Sequence, residues 1–426
     1  MREMKGSGIE WIGEVPTKWD IKPIKYLSKY NTETISENTA ADFRLSYIDI
    51  SSLGQGKING YQAMQFSSAP SRARRVVHAG DVIISTVRTY LKAVAKITPE
   101  YDGMIASTGI AVLSPYSIDE DYFAYTLQSH GFVSEVEKQS LGMSYPAINT
   151  SDLVKLAIPV PPPSEQRRVV AYLDGRCVAI DDDIAKRCEV IEKLREYKRS
   201  LIAHAVTKGL DPDAEMRDCG VEWIGEMPSD WKVLYPKALF CLRNERMRPG
   251  DIQLTASQEY GMISQSEFQG LEGRRVVQVI LNPEILKHVE PGDFVMHMRS
   301  FQGGLEISGR AGCVSSAYVM LHKRTDQVVN DFYKYLFKSS AYIDALRSTS
   351  NLIRDGQALR FANFIQVYLP LPPTETQEKI ASFLDERCAA IDEAIARQER
   401  LIEKLGEYRR SLIHHAVTGK IDCTEA

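Results

Sequence analysis

The amino-acid sequence predicts an α+β protein in which two globular domains are joined by two long helices. The first observation is that residues 8–19 (GIEWIGEVPTKW) return at residues 220–231 (GVEWIGEMPSDW), identical at eight of twelve positions with an offset of 212. The second is that residues 159–207 return in similar form at residues 370–418, whereas the inserts between these frames are far less alike. A long-period duplication with like frames and unlike inserts predicts one scaffold that presents two different binding surfaces.

Length, charge and cysteine content restrict the class of protein. A chain of 426 residues is long enough for two or more domains, each with its own core. A net charge of −4 argues mildly against a protein that coats nucleic acid, although it permits local basic patches. We expect no membrane span, because no apolar run approaches the ~20 residues that a span requires, and no signal peptide, because the N-terminal stretch is charged and contains tryptophan. The seven cysteines show no metal-binding spacing, so we expect reduced thiols and a cytoplasmic location.

Both inserts carry the same sequence of predicted elements. A Gly-Asp pair leads into an apolar run at 82–86 and again at 294–298, which is typical of a turn that feeds a half-buried strand. Further strands are predicted at 110–113 and 318–321, followed by short helices at 121–129 and 331–339. The inserts should therefore share a mixed α+β fold while differing in surface.

Each insert is followed by a predicted helix of some 40 residues. The apolar positions recur with a mean step of about 3.5 residues, which is the period of a supercoiling helix seam. In the first helix they are Val169, Leu173, Cys177, Ile180, Ile184, Cys188, Ile191, Leu194, Tyr197 and Leu201, and the same positions in the second helix hold Ile380, Leu384, Cys388, Ile391, Ile395, Glu399, Ile402, Leu405, Tyr408 and Leu412. Ser164 or Thr374 can cap the first turn, and Thr374 with Gln377 fits a capping box. A long helix with one apolar stripe needs a partner, so we predict an intramolecular antiparallel coiled coil. The alternative is two amphipathic helices that pack on separate cores.

Sequence motifs for catalysis are missing. The sequence contains no GxxxxGK[ST] phosphate loop, no HExxH pair and no Asn/Asp-Pro-Pro-aromatic tetrapeptide of the kind that amino-methyltransferases use to grip a flipped base. The adjacent pair His414 and His415 cannot share one helical face, so it is a poor metal site.

Basic and hydrogen-bonding residues are concentrated in the inserts instead. Arginine and glutamine suit bidentate contacts with guanine and adenine edges, whereas serine, threonine and tyrosine suit phosphates. The candidates in the first insert are Arg72, Arg74, Arg75, Arg88, Thr89, Tyr90, Ser144 and Tyr145, with Asn149 beyond them. The candidates in the second insert are Arg243, Arg246, Arg274, Arg275, Arg299, Ser300, Gln302, Arg354, Gln357 and Arg360. Each cluster alone is typical of a solvated surface, but their recurrence at matching points of both inserts favours a DNA-contacting role.

The frames resemble those of a known family. The pattern G-[IV]-E-W-[IL]-G-x-[IVM]-P-x-x-W opens each repeat, and P-x-P-P-x-x-E-Q or its like opens each long helix, which ends in [KR]-x-S-L-I. In both halves and in this order, these motifs resemble the specificity subunit of type I restriction–modification systems. Residues 145–149 (YPAIN) also fit the approach to the central helix in that family, whereas residues 356–364 differ from it. The contact that the resemblance suggests for Asn149 therefore has no secure counterpart in the second half.

The resemblance implies an architecture and a function. It implies target-recognition domains at 1–157 and 213–368, a central helical region at 158–212 and a distal helical region at 369–426, arranged with pseudo-twofold symmetry. Each target-recognition domain would read one half of a bipartite site on double-stranded DNA, and the helices would set the spacer and dock two methyltransferase subunits.

The resemblance also implies that the chain itself has no catalytic activity. It would hold no cofactor of its own, because S-adenosylmethionine would belong to the methyltransferase subunits, and ATP and Mg²⁺ to restriction subunits that translocate and cleave DNA. One alternative is a degenerate coiled-coil scaffold that binds only protein and sequesters the methyltransferase subunits. A self-contained methyltransferase is the other, and the missing motifs oppose it.

Overall fold

The computed structural model describes residues 2–273, 285–297, 300–349 and 359–423. The chain forms two compact units, one of residues 1–187 with 399–426 and the other of residues 188–398. Each unit contains one insert together with parts of both long helices. No helix in the described ranges is long and apolar enough to cross a membrane.

The first unit is built mainly from short strands. Its strands are β1 (Met4–Gly6), β2 (Glu14–Pro16), β3 (Asp20–Pro23), β4 (Ser28–Tyr30), β5 (Arg44–Ile48), β6 (Gln62–Gln65), β7 (Ala73–Val76), β8 (Val82–Ser85), β9 (Val94–Lys96), β10 (Ile105–Ser107), β11 (Ile110–Pro115) and β12 (Ala157–Val160). Its helices are α1 (Glu120–Gln128), α2 (His130–Lys138), α3 (Thr150–Leu153) and the start of α4 (Pro163–Lys208). Two four-stranded sheets, ordered β6-β5-β10-β7 and β4-β11-β8-β9, form its centre.

The second unit repeats much of this plan. Its strands are β13 (Met216–Asp218), β14 (Glu226–Pro228), β15 (Lys232–Leu234), β16 (Phe240–Arg243), β17 (Leu254–Ser257), β18 (Gly261–Ser264), β19 (Lys287–Val289), β20 (Phe294–Met296), β21 (Glu306–Ile307), β22 (Gly312–Val314), β23 (Val319–Lys323) and β24 (Leu369–Leu371). Its helices are α5 (Pro236–Leu239), α6 (Gln265–Glu272), α7 (Ser300–Gly303), α8 (Asn330–Leu336), α9 (Ser340–Ser348), α10 (Phe361–Phe364) and the start of α11 (Thr374–Val417). The sheet β16-β23-β20-β21 corresponds to β4-β11-β8-β9, so the predicted shared fold of the inserts is confirmed.

The Gly-Asp pair forms the same turn in both units. Gly80 and Gly292 have φ values of 91° and 88°, in the left-handed region that glycine adopts without a steric cost. The following carboxylates, Asp81 and Asp293, are buried and accept backbone N–H bonds from His78 (2.8 Å) and Glu290 (2.9 Å). The aspartate side chain of each turn therefore stabilises that turn just before the strand begins. The strand β8 confirms the prediction for residues 82–86, and β20 confirms the prediction for residues 294–298 as far as Met296.

The long helices pack antiparallel within each unit. In the first unit Leu173 and Ile180 of α4 share a core with Leu412 and Ala416 near the end of α11. In the second unit Val206, near the end of α4, shares a core with Ile380 and Leu384 near the start of α11.

Two ion pairs fix the register of the helices. Asp181 lies 3.2 Å from Arg409 in the first unit, and Lys198 lies 2.7 Å from Asp392 in the second. The two acids and the two bases correspond under the sequence repeat, so each unit uses the same pairing, and the antiparallel prediction is confirmed.

Four seam positions were predicted wrongly. Cys188, Tyr197, Glu399 and Tyr408 are exposed. The apolar positions from 188 to 197 advance in steps of three, and each such step falls 60° short of a full turn at 3.6 residues per turn. Tyr197 therefore lies about 120° around the helix from the buried Ile191, and Tyr408 is displaced in the same way from Ile402.

The predicted caps were also wrong. The helix α4 begins at Pro163, before Ser164, and the side chain of Gln377 does not bond back to Thr374. Instead, Gln377 is fully buried, accepts a bond from Val329 N (2.9 Å) and donates one to Pro372 O (2.8 Å). Gln166 does the same in the first unit, accepting from Asp119 N and donating to Pro161 O, both at 2.8 Å. Each glutamine thereby attaches a long helix to the loop before α1 or α8.

Candidate nucleic-acid interface

In the first unit, the strand β8 delivers the chain to a tight turn. Residues 89–91 form one 3-10 turn, and Arg88 and Lys92 on either side have φ values of 55° and 53°. A left-handed conformation is uncommon for non-glycine residues and costs of the order of 1 kcal/mol. The surrounding structure must therefore hold this turn in place, and Arg88 points to solvent from it.

A hairpin at residues 141–147 provides that support. Leu141 and Ala147 exchange two backbone hydrogen bonds of 2.9 Å, and Ile148 N donates to Thr86 O at 2.9 Å. The hydroxyl of Thr89 donates to Ser140 Oγ at 2.8 Å. Turn and hairpin are joined by these bonds into one surface, which we call the recognition platform (residues 87–92 and 141–147).

The recognition platform brings together several of the predicted contacts. The guanidinium of Arg88 lies 5.0 Å from the centre of the Tyr145 ring, a cation–π arrangement that orients it. Tyr90, Ser144 and Tyr145 are exposed on the same platform. Thr89 is buried and serves the scaffold, and Asn149 is exposed at the start of α3, just beyond the platform.

Three predicted arginines lie in or directly before β7, and their environments differ. Arg75 is half-buried, and this burial lowers its pKa. Because its guanidinium donates a hydrogen bond to Ile110 O, Arg75 stabilises the sheet. Arg74 lies over the Phe66 ring at 5.1 Å. Arg72 is exposed and lies 3.6 Å from Asp49. Of the three, Arg72 is the side chain most accessible to a ligand.

The predicted residues of the second unit are less concentrated. Arg243 makes a bidentate pair with the buried Asp293 (2.5 and 3.1 Å), which raises the pKa of Arg243, so this arginine braces the Gly-Asp turn. Ser300 is buried, and its hydroxyl accepts a bond from His297 N. Arg246 donates to Ile285 O, and Arg360 is exposed at the start of α10.

Gln302 is exposed and lines a cavity of about 340 Å³ together with Arg199, Lys338 and Arg347. Five predicted contacts lie outside the described residues: Arg274, Arg275, Arg299, Arg354 and Gln357. The sequence counterpart of Arg88 is Arg299, which lies outside the described residues, directly before α7 (Ser300–Gly303).

A charged network in the second unit was missed at the sequence level. The buried ring of His288 contacts Asp251 through Nδ1 (2.8 Å) and Glu290 through Nε2 (2.9 Å), and Arg248 pairs with Glu290 (2.6 Å). Burial alone would lower the pKa of His288, but the bonds to Asp251 and Glu290 outweigh it and raise the pKa. The sequence does not mark His288 as part of a network, because its second partner, Asp251, is 37 residues away.

Metal ligands do not cluster in the described parts of the chain: no group of three or more His, Cys, Asp or Glu side chains there could hold an ion. The recognition platform offers a cation, hydroxyls and rings on a rigid support. Such a surface suits binding and positioning.

Comparisons with known proteins agree with these motifs. The family described as Type I restriction modification DNA specificity domain matches residues 17–182. A Methanocaldococcus jannaschii protein, assigned as the specificity subunit of type I restriction enzyme MjaX, is 23% identical over 96% of this chain and 95% of its own length. The EcoKI specificity subunit of Escherichia coli K12 is 27% identical over 31% of this chain and 30% of its own length.

Solved structures show the same fold. A chain from a structural study of complex assembly and conformational transition of the type I R-M system has a TM-score of 0.70 and 21% identity, covering 96% of this chain and 99% of that one. The HsdS subunit from Thermoanaerobacter tengcongensis has a TM-score of 0.51 and 22% identity, covering 96% of this chain and 98% of that one. The repeated motifs and the duplicated fold agree with these similarities: the chain is similar to a type I restriction–modification specificity subunit over 96% of its length, and residues 17–182 match the DNA specificity domain of that family.

Proposed function

We propose that this chain is the DNA-reading subunit of a type I restriction–modification complex, with each insert reading one half of a bipartite site. The observation that carries the proposal is the recognition platform, where Arg88 is held over Tyr145 by a turn and a hairpin bonded to each other. Arginine donates two parallel hydrogen bonds to guanine O6 and N7 in the major groove, and a preorganised guanidinium loses little freedom when it does so.

We infer the protein partners of this chain from its similarity to specificity subunits. Two methyltransferase subunits would supply adenine methylation from S-adenosylmethionine, and restriction subunits would supply ATP- and Mg²⁺-dependent translocation and cleavage. This chain would contribute recognition alone. Its net charge of −4 fits such a division, because several subunits can share the neutralisation of phosphates that dominates non-specific affinity.

The long helices would act as the spacer element. The helices α4 and α11 contain 46 and 44 residues, which corresponds to about 65–70 Å each at 1.5 Å per residue. We propose that this length sets the unspecified spacer between the half-sites and that exposed faces of the helices dock the methyltransferase subunits.

A gel shift tests the proposal. The chain is assembled with its methyltransferase subunits and titrated against two duplexes, one carrying the site found by methylome sequencing of the expressing host and one of random sequence. We expect at least a 10³-fold preference for the methylome site, the lower end of the range for specific DNA binding. A complex that assembles but binds both duplexes equally would instead identify a protein-only scaffold.

A further inference from the structure

The recognition platform carries an apolar tip that the proposed arginine contact does not use. Met143 is fully exposed and Leu141 is 82% exposed, the two largest values for apolar side chains in the described part of the chain. Tyr145 on the same hairpin and Tyr90 and Leu91 on the adjoining turn are also exposed. A group of exposed apolar side chains in one region of a folded domain suggests a binding surface.

The tip is held in a defined position. The two backbone bonds between Leu141 and Ala147 close the hairpin, and the bridge between Val87 and Ala147 attaches it to the Arg88 turn. Gly142, with φ of 109°, makes the bend that leads into Met143. A ligand would therefore meet the backbone of the tip already in place, which reduces the entropy lost on binding.

The occupant can be inferred from the neighbouring charge. If Arg88 bonds guanine O6 and N7, it enters the major groove, because those atoms lie on that edge. The Tyr145 ring centre lies 5.0 Å from the guanidinium, and Met143 is two residues away, at most about 7 Å along the chain, so the tip would face the same groove within about four base pairs at a rise of ~3.4 Å. The thymine C5-methyl is the one apolar group that base pairs present there.

We propose that Met143, flanked by Leu141, reads the C5-methyl of a thymine within about four base pairs of the guanine contacted by Arg88. The inference rests on the proposed function and deepens it, because it assigns a second kind of base contact to the first unit. The unbranched thioether of methionine adapts to a small apolar partner, and the contact would disfavour cytosine, which lacks the methyl.

The test uses the complex with its methyltransferase subunits and duplexes that carry the methylome-determined site. Each thymine of the half-site read by the first unit, on either strand, is replaced in turn by deoxyuridine, which removes only the methyl. At one position we expect about three- to five-fold weaker binding, the effect of leaving one methyl unburied. The variant Met143→Ala should bind the thymine duplex more weakly and lose its sensitivity to that replacement.

Matched variants separate the outcomes. Met216→Ala removes a partly exposed methionine from β13 of the second unit and should keep the wild-type response to deoxyuridine. The inference is overturned if no thymine position couples to Met143, or if Met143→Ala prevents assembly with the methyltransferase subunits, which would make the tip a protein contact. Failure of the wild-type complex to prefer its own site over random DNA would overturn the proposed function itself.

Discussion

At the scale of single residues, the polar side chains of the inserts are of two kinds. Exposed ones are available to a ligand, whereas buried ones are bonded within the fold and stabilise it. Arg88 and Arg243 belong to equally basic stretches of sequence, yet Arg88 is exposed over a ring whereas Arg243 is bonded to a buried carboxylate. The sequence could place Arg88 after a strand and Tyr145 in a loop. It could not distinguish Arg75 and Arg243 as structural, because their partners are distant in sequence.

Substitution of Arg88 tests its role as a base contact. We expect Arg88→Ala to cost about 1–3 kcal/mol of binding to the cognate site and to relax one position of the methylated motif. Arg88→Gly should have the same effect on specificity while the fold is retained, because glycine accepts a φ of 55° without strain. Arg88→Lys keeps the charge but loses the bidentate geometry. If Lys restores full binding, or if Ala weakens all sequences equally, the residue contacts a phosphate instead.

The buried His288 predicts a pH dependence of stability. Its pKa is raised above the ordinary value of 6.5 in the folded state, so the folded chain holds this proton more tightly than the unfolded chain. The stabilisation is therefore complete below about pH 6.5 and is lost as pH rises through the raised pKa. Urea unfolding at pH 6 and pH 9 should show a larger loss of stability in the wild type than in His288→Asn. The exposed His204→Asn should behave as the wild type, and equal losses in all three would contradict this account.

At the scale of elements, the opening motif of each long helix contains a glutamine because the side chain of that glutamine makes buried hydrogen bonds. Gln166 and Gln377 each bond the loop before α1 or α8 and the proline segment before the helix. A sequence pattern suggested a capping box for Gln377, but a buried amide with distant partners overrides a local preference. The elements themselves were largely predictable, because apolar period and Gly-Asp turns are local signals.

The glutamine clamp can be tested by its contribution to stability. Gln166→Ala should lower the free energy of unfolding by about 1–3 kcal/mol, because it leaves a buried carbonyl at Pro161 and the Asp119 N–H without partners. Gln139→Ala removes an exposed glutamine that bonds only Glu135 among the described contacts and should change stability by less than about 0.5 kcal/mol. Similar values for both variants would show that the clamp contributes little.

The whole molecule is a duplication, and this was the easiest feature to predict. The repeat offset established two like units, and the ion pairs Asp181–Arg409 and Lys198–Asp392 show that each unit uses the same antiparallel helix pairing. The reading surface was harder to predict, because insert loops have no periodic pattern. The sequence identified the polar members of the 142–145 run but not the apolar tip at Met143.

The spacer role of the helices predicts a change in target spacing. Inserting four residues, about one turn, into α4 near Lys186 would lengthen that helix by about 6 Å. At about 3.4 Å per base pair, the preferred spacer should grow by one or two base pairs while both half-sites stay unchanged. Some loss of stability is expected because the seam rotates. A methylome that retains the original spacer at full occupancy would contradict the spacer role.

The central claim is that the two inserts read their half-sites independently. The most direct measurement is long-read methylome sequencing of a host that expresses the methyltransferase partner with a chimaera in which residues 30–150 come from another family member. The duplicated frames and separate cores predict that one half of the methylated motif changes, while the other half and the spacer remain as in the wild type. A motif in which both halves change together would contradict the claim.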